Sequence, residues 1–192
     1  IRVLTEIMNF YNDIAVYGTT TAIISESSEI FTYAELFKSA DRLKNQINKR
    51  TLVFSLCENS LESVVGYLGF LGGSIVPVLI SGTIKNELLD NLLLTYKPEY
   101  IWLQSKKANA GNWGTEVYRF GNYVLLKTAH VINYTLHEDL ALLLTTSGST
   151  GSPMLVRQTY KNINNNANII AQYLEITQTD RPITSLFMSH TY

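Results

Sequence analysis

The chain has 192 residues, of which 46% are hydrophobic and 16% charged, and its 15 basic and 16 acidic side chains leave a formal charge of −1. That length supports one domain with a real core, and the near-neutral balance gives no electrostatic footprint for nucleic acid. Charge content below the usual share of about 25% fits either a piece covered by other parts of a larger protein or a sticky monomer.

Taken in chain order, Val3, Leu4, Ile7, Met8, Tyr11 and Ile14 recur at helical spacing. Residues 21–25 read as a strand, 26–29 as a turn, and Ile30-Phe31 as a second extended run. Thr32 with Glu35 three residues on is a capping-box pattern. The helix it opens carries Leu36, Ala40, Leu43 and Ile47 on one face, and Lys38, Asp41, Arg42 and Lys44 on the other. Residues 51–56 are a continuous apolar run, of the kind buried on both faces of a parallel sheet, and Asn59 or Ser60 caps the next helix. Residues 63–83 carry no charge and could span a bilayer by length. Gly72-Gly73-Ser74 reads as a helix end and residues 75–80 as a short strand, so helix, turn and strand are expected there and no membrane span.

Residues 85–96 predict a helix with Leu88, Leu89, Leu92 and Leu93 as its apolar stripe, ended by Pro98 and followed by a strand at 100–103. Residues 105–114 read as a polar loop, and 116–127 as a hairpin around Gly121-Asn122. A strand at 141–144 leads into a loop, after which 155–158 is short and extended, 161–174 helical, and 183–187 a last strand. This alternation predicts an α/β fold with a mostly parallel sheet flanked by helices. The hairpin at Gly121 is the expected departure from parallel order.

The single cysteine, Cys57, excludes an intrachain disulfide, and its place at the end of an apolar strand makes it a small core residue. His130, His137 and His190 have no metal-ligand spacing, so no protein-bound metal is expected. A reducing compartment suits this usage, and a cytoplasmic location is expected. The chain opens at Ile1 with no initiator methionine and no signal-peptide pattern, as an excised piece or a processed chain would.

The segment that carries chemistry is Thr145-Thr146-Ser147-Gly148-Ser149-Thr150-Gly151-Ser152-Pro153, set between the apolar runs 140–144 and 154–156. A strand ending in a loop of Gly, Ser and Thr offers backbone N–H groups and hydroxyls together, which suits a phosphate. It is not a Walker loop, because Gly148 and Gly151 are three apart and no lysine follows, nor a dinucleotide loop.

That segment, continued through Val156 and Thr159-Tyr160-x-Asn162, resembles the signature of the acyl-adenylate-forming (AMP-binding) enzymes: acyl-CoA synthetases, adenylation domains and luciferases. Their loop reads Thr-Ser-Gly-Ser/Thr-Thr-Gly-x-Pro-Lys-x-Val, followed by Thr-His-x-Asn. Phe31-Thr32-Tyr33-Ala34-Glu35-Leu36, the run from Glu58 to Val78 with its Gly72-Gly73-Ser74-Ile75-Val76-Pro77, and Leu186-Phe187-Met188-Ser189-His190 resemble further elements of the same family in the same order.

The resemblance implies the front part of the large N-terminal domain of such an enzyme. Residues 1–192 would be one incomplete subdomain, the rest of that domain and a small C-terminal domain being absent. It implies an ATP-dependent acid–thiol ligase: a carboxylate attacks MgATP to give an acyl-adenylate, and a thiol of CoA or of a carrier protein's phosphopantetheine takes the acyl group. On this basis Thr146, Ser147, Gly148, Ser149, Thr150 and Gly151 line the pyrophosphate side, Met154 stands at the family's lysine position, and His190 and Tyr192 border the acyl pocket. ATP, Mg and the thiol are the implied cofactors; a small carboxylic acid, such as a fatty acid, and an acyl carrier protein are the implied partners. No catalytic residue falls within the 192 residues, so the piece alone is expected to be inactive. Met154 motivates the alternative, a non-catalytic relative that keeps the fold as a binding or interaction module.

Overall fold

The computed structural model describes residues 14–131, 134–145 and 155–189. Most of the helical pattern expected at the start of the chain lies outside them; Ile14–Tyr17 is a single 3₁₀ turn. Two short strands, β1 (Thr21–Ile24) and β2 (Ile30–Thr32), pair as a small antiparallel ribbon. Helix α1 (Tyr33–Lys44) follows directly and its N-terminus is closed by the expected capping box. The Glu35 amide donates to Thr32 Oγ1 at 3.2 Å and the Thr32 amide to Glu35 Oε2 at 2.9 Å.

Strand β3 (Leu52–Cys57) is buried at every residue, as its unbroken apolar run predicts. It leads into helix α2 (Leu61–Gly72), capped by Ser60, and then strand β4 (Val76–Ser81). The uncharged stretch is therefore a helix and a strand, and no described helix is long and apolar enough to cross a membrane. Helix α3 (Asn86–Tyr96) ends at Lys97 in the left-handed conformation (φ 47°), immediately before Pro98. Leu89, Leu92 and Leu93 face the sheet, but Leu88 is partly exposed. It sits one residue, about 100°, round from the i, i+3, i+4 stripe.

Strand β5 (Tyr100–Gln104) runs straight into a one-turn helix, α4 (Ser105–Ala108), where a loop was expected. Strands β6 (Thr115–Phe120) and β7 (Tyr123–Lys127) form the expected hairpin. Gly121 takes φ 54° at the first turn position, which a II′ turn demands and glycine tolerates. The last elements are β8 (Leu140–Thr145), β9 (Leu155–Thr159) and helix α5 (Tyr160–Tyr173).

Seven strands make one sheet in the order β6-β7-β5-β3-β4-β8-β9. β5, β3, β4 and β8 are parallel, while the pairs β5–β7, β7–β6 and β8–β9 at the two sides are antiparallel. The sheet is flanked by helices as expected, yet Gly121 is not the sole departure from parallel order: β9 reverses as well. Nine residues separate β8 from β9, too few for a parallel crossover.

Alternation along the strands builds a core on each face. Leu52, Phe54 and Leu56 of β3 pack with Leu89, Leu92 and Leu93 of α3. Val53 lies on the opposite side with Trp102 and with Leu36, Ala40 and Leu43 of α1 and Val65 and Phe70 of α2. A third cluster joins Cys57, Leu71, Leu79, Ala141, Leu142 and Tyr160. Residues 183–187 are not a strand. They carry no ladder, and Ile183, Leu186 and Phe187 are exposed. The sheet edge beside β8 is already taken by β9, and the segment crosses near β3 instead, where Asn59 Nδ2 donates to the Thr184 carbonyl at 3.4 Å.

Candidate functional site

In open parallel sheets ligands bind beyond the carboxyl ends of the strands, where neighbouring strands send their chains to opposite faces. Here β3 leads to α2 on one face and β4 leads to α3 on the other, so the crevice opens between their carboxyl ends. Glu58 follows β3 there and accepts a hydrogen bond from Gln104 at the end of β5. The Gly82 amide donates to the Cys57 carbonyl at 2.9 Å, and a Cβ at residue 82 would lie 2.7 Å from Glu58 Cγ. The Ser81 and Thr83 hydroxyls stand 2.9 Å apart beside it.

The Gly/Ser/Thr segment starts at the same edge. Strand β8 is the parallel neighbour of β4, and its last residue, Thr145, donates from Oγ1 to the Leu79 carbonyl at 3.3 Å. Thr145 pairs with Leu155 across the β8–β9 ladder, so residues 146–154 connect the last two strands of the sheet among the described residues. The candidate phosphate-binding residues Thr146, Ser147, Gly148, Ser149, Thr150 and Gly151, together with Met154, lie outside the described residues, as do His190 and Tyr192. Their flanks are placed. Met188 and Leu144 both pack against the cluster that holds Cys57, Leu79 and Tyr160. The end of β8 and the segment before His190 therefore both lie against that cluster.

The end of the resembling motif, Thr159-Tyr160-x-Asn162, has an architectural explanation. Thr159 is the N-cap of α5 and its Oγ1 accepts from the Asn162 amide at 3.1 Å. Tyr160 is buried and donates its hydroxyl to the Leu71 carbonyl at 3.0 Å. Burial pushes its phenol pKa up, with Arg50 and Ser74 nearby pulling it back.

Cys57 is buried in this cluster, and burial pushes its thiol up to about 11, so it has no nucleophilic character near neutral pH. His137 serves through its backbone, its carbonyl accepting from Arg50 Nη2 at 2.6 Å. Among the described residues no group of three or more His, Cys, Asp or Glu could hold a metal ion.

Arg50 was invisible in the sequence as a structural residue. Its guanidinium donates to the carbonyls of Ser74 (2.6 Å), His137 (2.6 Å) and Leu140 (2.7 Å), tying the entries of β4 and β8 together. Nothing in its local pattern announces partners 24 to 90 residues away. Tyr160 had a signal, since it lies inside the motif, but the motif does not say that its hydroxyl faces the core.

The family model described as AMP-binding enzyme matches residues 10–192. Gramicidin S synthase 1 of Brevibacillus brevis is 26% identical over 185 residues, covering 90% of this chain and 16% of that protein. The o-succinylbenzoate CoA synthetase MenE of Bacillus subtilis, in complex with the acyl-adenylate intermediate OSB-AMP, matches with TM-score 0.71 and 21% identity over 95% of this chain and 50% of its own. MatB of Rhodopseudomonas palustris matches with TM-score 0.69 and 19% identity over 89% of this chain and 38% of its own. The chain thus spans half or less of each of these relatives.

Proposed function

The chain belongs to the AMP-binding enzyme family of adenylate-forming ligases, and from that premise we propose that it is the front part of an ATP-dependent acid–thiol ligase. The observation that carries this reading is the hairpin link 146–154, which leaves the carboxyl end of a central parallel strand with the composition of a phosphate cradle. MenE has been solved with ATP and magnesium ion and with its acyl-adenylate, which supports MgATP as the substrate here.

In the proposed reaction a carboxylate oxygen of the acid attacks the α-phosphorus of MgATP. The bond to the bridging oxygen breaks and pyrophosphate leaves with its electron pair. A thiol, of CoA or a carrier-protein phosphopantetheine, then displaces AMP from the acyl carbon. Residues 146–151 would hold the departing pyrophosphate with N–H groups and hydroxyls aimed at developing negative charge, the term that most often dominates such catalysis. His190 and Tyr192 would border the acyl group.

Helix α5 buries only Tyr160 and leaves Ile169, Ile170 and Tyr173 exposed, which supports a longer polypeptide packing against it. In this reading the 192 residues alone are inactive, the intact protein acts in the cytoplasm, and the acid is a fatty, aryl or amino acid. The test is carboxylate-dependent ATP–pyrophosphate exchange by the intact polypeptide against a panel of those acids. Exchange with at least one acid is expected from the intact polypeptide and none from residues 1–192.

Met154 favours a second reading, a relative that keeps the fold for binding without chemistry, because the family pattern carries lysine there. Met154→Lys decides between the two. Exchange that rises on adding the cation supports the ligase, whereas neither exchange nor ATP binding before and after the substitution supports the binding module.

A further inference from the structure

We propose that residues 105–114 form a strap that holds the start of α3 and the link leading to it from β4. Its two latches are Lys107 on the Ile84 carbonyl and Trp113 on Asp90, and strap and link open as one unit. The link forms one wall of the crevice at the carboxyl ends of β3, β4 and β5, so the strap sets the shape of that wall whatever ligand the crevice takes.

Helix α3 starts without a side-chain cap. Its N-cap, Lys85, makes no hydrogen bond to the first turn, whereas Thr32, Ser60 and Thr159 close α1, α2 and α5. First-turn amides have no partner within the helix, so an uncapped end frays unless something outside it holds the chain. The Lys107 Nζ donates to the Ile84 carbonyl at 2.6 Å and to Asn86 Oδ1 at 3.3 Å, gripping the chain on either side of Lys85. One turn further on, the Trp113 indole N–H donates to Asp90 Oδ1 at 2.6 Å. Ile84, Ala108 and Trp113 also pack against the core cluster that contains Leu89, Leu92 and Leu93. Polar latches and apolar contacts therefore join the same two segments.

The strap is anchored at both ends. At its start the Ser105 amide donates to the Asn122 carbonyl at 2.7 Å, and the preceding residue, Gln104, donates to Glu58 at the end of β3. At its end a Cβ on Gly114 would collide with the Lys127 carbonyl, so glycine lets the chain pass there. Between these points the Gly111 backbone lies against the Trp113 ring, where a Cβ would stand 2.5 Å from the indole carbons. The strap's own backbone bonds are few. The Asn109 amide donates to the Ser105 carbonyl at 3.0 Å, Ala110 to Lys107 at 3.0 Å and Gly111 to Ala108 at 3.3 Å. A single turn of this kind does not hold itself together. The latches to Ile84 and Asp90 order it, and it in turn orders the uncapped end of α3. Loss of either latch should therefore loosen both segments.

The experiment is amide hydrogen exchange on the intact polypeptide with Asp90→Ala and Lys107→Met. Asp90→Ala removes the acceptor and leaves the indole in place. Alanine also raises helix propensity, so that substitution alone would tighten α3. Lys107→Met keeps an apolar stem and removes the donor. The amides read are Ile84, Leu88 and Leu89 at the link, and Asn109, Ala110 and Gly111 in the strap, all of them hydrogen-bonded in the native fold. Each variant is expected to lose about fivefold in protection at both groups, the effect of one hydrogen bond, while β3 amides do not change. Asp90→Asn, which keeps an oxygen acceptor for the indole, should stay within about twofold of wild type. Strap amides that loosen while Ile84, Leu88 and Leu89 keep their protection overturn the proposal, as do two groups that both stay at wild type. Equal loosening of β3 overturns it too, since that pattern is general destabilisation. Asp90→Asn as damaging as Asp90→Ala overturns the Trp113 latch, because the charge on α3 would then matter and the acceptor would not.

Discussion

Gly69→Ala is expected to destabilise the protein although it replaces a glycine inside a helix. Gly69 lies in α2 where that helix meets α1, and a Cβ built there would stand 2.7 Å from the Ala40 carbonyl oxygen and 3.5 Å from the Ala40 carbonyl carbon and Cα. Backbone atoms cannot swing aside as a side chain can. Restoring ordinary contact near 3.4 Å requires α1 and α2 to part by about 0.7 Å locally, and a gap of 0.5–1 Å forfeits a quarter to a half of the dispersion well at each affected contact. Overpacking of this kind costs about 1–3 kcal/mol, and a backbone clash belongs at the upper end. Alanine in a helix interior returns about 1 kcal/mol relative to glycine. The net expectation is a loss of about 2 kcal/mol, or a fall of about 4–8 °C in Tm for a chain of this size. Thermal denaturation followed by circular dichroism reads it directly. Gly73→Ala is the comparison: its Cβ would meet Lys44 Cγ at 2.6 Å, the buried Ile75 Cδ1 at 3.0 Å and the Gly69 carbonyl oxygen at 3.2 Å, so its worst contact is with a side chain rather than backbone and its loss should be smaller than that of Gly69→Ala. A Gly69→Ala protein as stable as wild type, or more so, would refute the close-approach argument.

The other expectations concern single contacts. Thr32→Ala removes half of the α1 capping box and should cost about 1 kcal/mol in urea denaturation. The Thr32 amide and hydroxyl hold the Glu35 carboxyl below its usual pKa. That contribution is present above the unfolded pKa and lost as pH falls through the lowered folded value, so the deficit of Thr32→Ala should shrink in acid. Cys57, with its thiol at about 11, should resist alkylation at pH 8 in the native state and react fully in urea. Burial also raises Tyr67 and Tyr123 to about 12. The unfolded chain releases these protons first, so stability should decline as pH rises above about 9, and a flat profile between pH 9 and 11 would contradict the burial. Arg50→Ala removes three hydrogen bonds, to the carbonyls of Ser74, His137 and Leu140, and should lower stability by about 3 kcal/mol, measured by urea denaturation.

The parts of the fold legible in the sequence were those whose causes are local. Thr32 and Glu35 announce a capping box by spacing alone, and the apolar run through β3 announces a strand covered on both faces. Strand direction was harder, because it depends on connection length. The nine residues between β8 and β9 forbid a crossover, but that count can be read only once both strand ends are known. Leu88 was misplaced because four leucines within six positions blur the stripe. Residues 183–187 have strand-like composition but no free edge beside β8 to join. Beside the candidate site, the flanking strand β8 was legible in the apolar run 140–144, but the anchoring behind it was not. Arg50 reaches carbonyls far along the chain, and Tyr160 looks like a variant of a motif position until its hydroxyl is seen on the Leu71 carbonyl.

In the proposed function residues 146–154 receive the phosphates of ATP. This is tested most directly by hydrogen exchange of the intact polypeptide with and without MgATP, read at single-residue resolution across that segment. MgATP is expected to slow exchange of the amides from Thr146 to Gly151 at least tenfold, with smaller changes in β8 and β9. Nucleotide binding that leaves those amides unprotected, or protects a different strand end, would contradict it.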